Sequence, residues 1–167
     1  MVDGPTPADA GWLNAGAELI IKGDSGDTTA HCAAAGKIYV AGRVGTRSGS
    51  LMKHDPKYEP PEFWVLKNTG SFPFEFMGGG LAVVCGVDCD DFESVLGDRS
   101  CAGMVGGTIY VRGPVKGLPD DVWLLELDDA DREFLLQGLP DGLASGIIEA
   151  LATNNNDRIF LSVSVDQ

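Results

Sequence analysis

The chain has 167 residues, with 44% hydrophobic and 22% charged residues, so it has the makings of a packed core and is not disordered. Its 25 acids against 12 bases give a net charge of −13, which excludes nucleic acid and anionic membrane surfaces as partners. No stretch is long and apolar enough for a membrane span, and no basic-then-apolar leader opens the chain, so the expected location is cytoplasmic.

Glycine is in excess, at 23 residues, and 20 of these lie in residues 1–117. That excess belongs to a repeat. In chain order the short apolar runs are Leu19–Ile21, Ile38–Val40, Phe63–Leu66, Leu81–Val84 and Ile109–Val111. They are rich in β-branched and aromatic residues and too short for buried helices, so each reads as a strand. Aligned positions recur at steps of 19, 25, 19 and 27. A base period of 19 accounts for these steps if 6 residues are inserted around Lys53–Pro60 and 8 around Cys89–Leu96. Both insertions have loop composition.

A glycine frame, G-x-x-G-x-x-x-G, follows each run. It is whole at Gly42, Gly45 and Gly49, and carries one substitution at Gly23, Gly26 and Ala30. The repeat glycines Gly23, Gly26, Gly42, Gly45, Gly49, Gly70, Gly86, Gly97 and Gly113 are read as structural, allowing a positive φ or close backbone approach at the corners of a stacked coil. Gly45 in particular is expected at positive φ. A later position is apolar in each repeat, at Ala33, Met52, Met77 and Met104, and predicts an interior ladder.

One strand per 19 residues cannot bury its own apolar side, whereas stacked coils can pair their strands in parallel. The prediction is an all-β solenoid: a parallel β-helix of about five coils, right-handed by the crossover rule. A β-sandwich with glycine-rich turns is the alternative, and it leaves the recurring register unexplained. The absence of amphipathic helices between the strands excludes barrel and doubly wound α/β folds.

The composition changes near Pro119, dividing a repeat domain, 1–117, from an acidic C-terminal cap, 118–167. In the cap, Val122–Leu127 reads as a strand. Asp128–Gly138 reads as a short helix with acids in its first turn. A second helix after Asp141 carries Ala144, Ile147, Ile148 and Leu151 on one face, and Arg158–Val165 alternates as a last strand. The two apolar helix faces are expected to cover the last coil near Ile109–Val111 or to meet a second subunit.

Candidate chemistry is sparse. His31 lies beside a corner and His54 in an insertion, and neither has a partner set by spacing. Cys32, Cys85, Cys89 and Cys101 form no C-x-x-C, and Cys101 falls in the repeat slot of Gly49 and Phe74. They are expected to be reduced, mostly buried thiols. Gly78-Gly79-Gly80 lacks the following helix that a dinucleotide fingerprint needs. Trp64 with Phe63, Phe72, Phe74 and Phe76 is the heaviest aromatic cluster, either core or interface. No catalytic, cofactor-binding or metal-binding residue is expected.

The 19-residue glycine frame resembles the GXGXG domain, the C-terminal β-helix of the glutamate synthase large subunit. That domain also occurs as a separate subunit of split glutamate synthases and in the C subunit of formylmethanofuran dehydrogenase. The likeness covers about residues 16–137. It is carried by Leu51-Met52-Lys53, Phe63–Gly70, Glu75–Gly80, Cys101–Gly107, Tyr110–Gly113 and Leu125–Leu136. Lys67, Phe74 and Cys101 depart from the frame by replacing glycines.

The resemblance implies a non-catalytic subunit or domain of a glutamate-synthase-type oxidoreductase complex. Such a subunit braces a glutaminase and a flavin- and iron–sulfur-dependent synthase that makes glutamate from glutamine and 2-oxoglutarate. FMN and an iron–sulfur cluster are then expected on partner subunits, with no cofactor in this chain. A scaffold of the formylmethanofuran dehydrogenase type and a stand-alone, homo-oligomerising module are the alternative readings.

Overall fold

The computed structural model describes residues 1–138 and 160–165. It is mostly sheet, a β-solenoid with one short helix. The strands in chain order are β1 (Ala15–Ile21), β2 (Ala35–Val40), β3 (Glu62–Val65), β4 (Gly78–Val84) and β5 (Gly106–Arg112). After them come β6 (Trp123–Glu126), helix α1 (Asp129–Gln137) and β7 (Phe160–Ser164). One sheet holds the strands in the order β1-β2-β3-β4-β5-β7-β6.

The first five strands are parallel, and their register follows the sequence period. Leu19 pairs with Ile38, Ile38 with Phe63, Phe63 with Ala82, and Ala82 with Ile109. A residue therefore stacks on its repeat equivalent, and like side chains form ladders. Ile38, Phe63, Ala82 and Ile109 line the interior, as do Val40, Val65, Val84 and Val111. Ala33, Met52, Met77 and Met104 are all buried as a further interior column. A coil with so short a strand is stabilised mainly by its neighbours, because each apolar run is removed from water only by stacking.

The coil number differs from the five that the repeat predicts: the solenoid makes about three turns. The strand ladder has its counterpart on the glycine side in bridges from Thr6 to Ser25, Ser25 to Val44 and Val44 to Thr69. Beyond Thr69 no further bridge is formed among the described residues; Thr69 N donates to the Val95 carbonyl at 3.1 Å, Gly97 N to Thr69 Oγ1 at 3.1 Å and Val95 N to the Pro114 carbonyl at 2.9 Å. The insertion between Gly86 and Gly97 interrupts it there.

The two ends are finished differently. Residues 2–13 lie over the first full coil, with Val2 paired to Ile21 and Thr6 to Ser25, and Pro5 and Pro7 stand in this outermost segment. At the other end the first expected helix, α1, does reach the last coil, with the Phe134 ring centre 5.3 Å from that of Tyr110, and the edge of that coil carries a strand as well. Strand β7 lies there, antiparallel to β5, with Ile109 opposite Val163 and Val111 opposite Leu161. β6 pairs beyond it, also antiparallel. A strand satisfies the open backbone edge of β5, which a helix cannot do. The alternating Leu161 and Val163 supply the apolar side that meets the core.

Helix α1 covers the outer surface of the sheet, the last coil included. Its Phe134 and Leu135 pack on Tyr39, Trp64, Val83 and Tyr110. Asp128 caps it in a reciprocal capping box with Asp131. The predicted helix after Asp141 lies outside the described residues.

Candidate functional site

The most elaborated part of the molecule is the glycine corner, and two columns of residues build it by different physics. The first holds Gly26, Gly45, Gly70 and Gly97. A Cβ on Gly45 would lie 2.6 Å from Asp27 N and 2.7 Å from the Gly26 carbonyl carbon, and one on Gly70 would lie 2.7 Å from the Gly45 carbonyl carbon. Gly26 stands equally close to the backbone of Pro7 and Ala8, and Gly97 to that of Gly70. The expectation of a positive φ at Gly45 is corrected, since its φ lies outside that range. Glycine stands there because the coils touch backbone to backbone.

The second column holds Gly11, Ala30, Gly49, Phe74 and Cys101, with φ of 71°, 60°, 68°, 59° and 60°. It is flanked two residues to either side by further left-handed columns. One is Asp9, Thr28, Arg47, Phe72 and Arg99; the other is Leu13, Cys32, Leu51, Phe76 and Gly103. Each coil thus turns through three alternate left-handed residues, most of them not glycine. The middle residue points inward, and Phe74 fills the interior against Phe63 at 6.3 Å between ring centres.

Of the other frame glycines, Gly23 and Gly42 sit against the backbone of Gly4–Pro5 and of Asp24, Gly86 against the Arg112 carbonyl, and Gly113 against Val95.

Polar side chains stitch the same corner. Asp24 Oδ1 accepts from Arg43 N at 3.0 Å and Asp27 Oδ1 from Thr46 N at 2.7 Å, each one coil away. Thr29 and Ser48 hydroxyls donate to the Gly26 and Gly45 carbonyls at 2.9 Å. The hydroxyls of Thr6, Ser25 and Thr29 form a chain with spacings of 2.7 and 2.6 Å, buried at Ser25 and Thr29. Sequence reasoning missed this chain. Its only trace is the recurrence of Ser or Thr three residues after a frame glycine.

The aromatic cluster divides. Phe63, Trp64 and Phe74 are buried, while Phe76 is exposed. Phe72 lies between two guanidinium groups, Arg47 at 5.5 Å and Arg99 at 5.7 Å from its ring centre. Trp64 faces outward beneath α1, with Phe134 at 5.4 Å. Beside it the Tyr110 hydroxyl donates to Asp131 at 2.8 Å and the Tyr39 hydroxyl to the Gly138 carbonyl at 3.2 Å. Burial holds both phenols above their usual pKa. Tyr39 rises to about 12, and Tyr110 is raised further by its bond to Asp131.

The four cysteines are free thiols, three of them buried. Burial pushes Cys85 and Cys101 up to about 12, which keeps them protonated and poor as nucleophiles or metal ligands. His54 donates from Nε2 to the Tyr58 carbonyl at 2.9 Å within its own insertion, and His31 sits half-buried at a corner. No grouping of three or more His, Cys, Asp or Glu able to hold a metal occurs among the described residues. A shallow cleft of about 490 Å³ opens beside the second insertion, lined by Phe92, Ser94, Leu96, Arg99 and Lys116. Glu93 and Asp98 also line it, and Glu93 pairs with Lys116 at 3.1 Å.

Fold and corner together define a glycine-cornered β-solenoid. The model of the GXGXG motif family matches residues 12–127, which is 116 of the 167 residues, and the chain belongs to that family. The match spans every parallel strand, the glycine corners and β6. No curated protein and no solved structure matches the chain. Among the described residues no helix is long and apolar enough to cross a membrane.

Proposed function

We propose that this chain is a non-catalytic structural subunit or domain of a glutamate-synthase-type complex, bracing a glutaminase and a flavin- and iron–sulfur-dependent synthase. The observation that carries the reading is the family match over residues 12–127 together with the parallel stacking of the five strands in sequence order. Coils that stack backbone to backbone resist bending, and a stiff body suits the task of holding two catalytic units at a fixed spacing. The chain's own side chains serve that body: they fill its core, bond its corners and dock α1. FMN and the iron–sulfur cluster belong, on this reading, to the partner subunits.

The test is isolation of the tagged full-length chain from its native host under mild conditions. A glutaminase and a flavin-containing synthase should co-purify. Glutamine-dependent glutamate formation from 2-oxoglutarate should fall when the chain is deleted and return when it is restored. Isolation with a different oxidoreductase, or as a defined homo-oligomer with no partner, would replace this reading with one of its alternatives.

A further inference from the structure

The two edges of the sheet are not equally protected. At the N-terminal end, residues 2–13 overlie the first coil, and prolines, which cannot donate to a ladder, stand in that segment. At the C-terminal end β6 is the outermost strand, and among the described residues it pairs only with β7. All four of its residues are exposed, and three of them are large and apolar: Trp123 at 43%, Leu124 at 43% and Leu125 at 39%. The strand is short and ends in one charge, Glu126, but no lysine, proline or bulge interrupts its apolar residues.

Charge brackets the apolar centre. Asp120 and Asp121 precede the strand, Glu126 ends it, and Asp128 and Asp129 follow; all five are exposed. No basic residue occurs between Lys116 and Arg132. A second copy aligned antiparallel on the edge would bring acids against acids, so the charge pattern disfavours self-association.

We propose that the free edge of β6, Trp123–Glu126, docks an extended segment of a partner chain that is apolar in its centre and basic at both ends. The segment adds as a further strand. Its backbone pairs with the outward N–H and C=O groups of β6, its apolar residues cover Trp123 and Leu125 on one face and Leu124 on the other, and its cations meet the flanking acids. This requirement comes from the edge alone, so it stands or falls separately from the complex proposed above.

The experiment uses the full-length chain and two synthetic peptides sharing a Thr-Val-Thr-Val-Thr core, one with Lys-Arg ends and one with Glu-Asp ends. Residue-resolved hydrogen exchange on the free chain should show alternate β6 amides slow, those facing β7, and the others fast. The basic-ended peptide should bind by calorimetry, slow the remaining amides and weaken as salt is raised; the acidic-ended one should not bind. Leu125→Lys should weaken binding by about ten-fold or more while leaving the melting temperature unchanged. Asp120→Asn with Asp121→Asn, on the exposed approach to the strand, should flatten the salt dependence.

Failure of the basic-ended peptide to bind, or equal binding of both peptides, overturns the proposal. So does slow exchange at every β6 amide in the free chain, which would mean that residues 139–159 or a second copy already fill the edge.

Discussion

Two neighbouring columns of the glycine corner look alike in sequence and obey different rules. Gly26, Gly45, Gly70 and Gly97 stand where successive backbones touch, and the other residue in that register, Pro7, lies in the outermost segment at the start of the stack. Gly11, Ala30, Gly49, Phe74 and Cys101 stand at positive φ, and three of the five are not glycine. A left-handed φ costs an L-residue about 1–2 kcal/mol, which a buried aromatic ring can more than offset. Overlap with a neighbouring backbone has no such remedy, because a close-packed coil cannot step aside. Close approach, more than conformational freedom, is what enforces glycine in this fold.

The largest expected effect follows from the first column. Gly45→Val should cost more than about 3 kcal/mol, enough to leave the chain unfolded or aggregated, because its side chain would overlap the Gly26–Asp27 backbone. Lys57→Val, on the exposed first insertion, should stay within about 0.5 kcal/mol. Urea unfolding of both would decide, and equal midpoints would break the distinction.

In the second column, Phe74→Ala should cost about 3–5 kcal/mol through lost burial and the cavity left behind. Gly49→Ala alone should also destabilise, since its Cβ would lie 2.6 Å from the Phe74 ring. In the double variant the two costs should fall short of their sum, as the smaller residue at 74 makes room for the methyl. Strict additivity would show that φ, and not the ring, sets the cost at Gly49.

A moderate effect is expected at high pH. Folding raises the pKa of Tyr39 and Tyr110 above the ordinary 10.0, so their contribution is intact below pH 10 and drains away as pH rises through the folded values. Thermal melts should therefore steepen their decline above pH 10, and Tyr110→Phe should lessen that slope. An unchanged slope would mean that α1 leaves the sheet before the phenol ionises.

The smallest effect belongs to the exposed left-handed column. Leu51→Gly should raise stability by up to about 1 kcal/mol, since it relieves a φ of 57° at a residue that contributes little burial. A clear loss would show that the exposed leucine is packed in an assembly.

Much of this architecture was legible in the chain. The 19-residue step fixed which residues stack, down to Leu19 on Ile38 and Met52 on Met77, because a solenoid turns sequence period directly into spatial register. Asp128 at the start of a helix ending at Gly138 was equally plain, since caps act locally. The Thr6–Ser25–Thr29 hydroxyl chain was not, because it depends on which hydroxyls come to face one another across coils.

The sequence by itself determined the strands, their parallel stacking and the placing of both insertions, since each is a consequence of local pattern repeated at a fixed interval. Only the tertiary structure decided that β7 pairs with the edge of the last coil, that α1 lies on Trp64 and Tyr110, and that Gly45 meets a neighbouring backbone where Gly49 combines a positive φ with the nearby Phe74 ring. Those outcomes rest on contacts between segments with no shared period. The matching of free backbone edges, ring faces and interatomic gaps selects them, and it exists only once the chain has coiled.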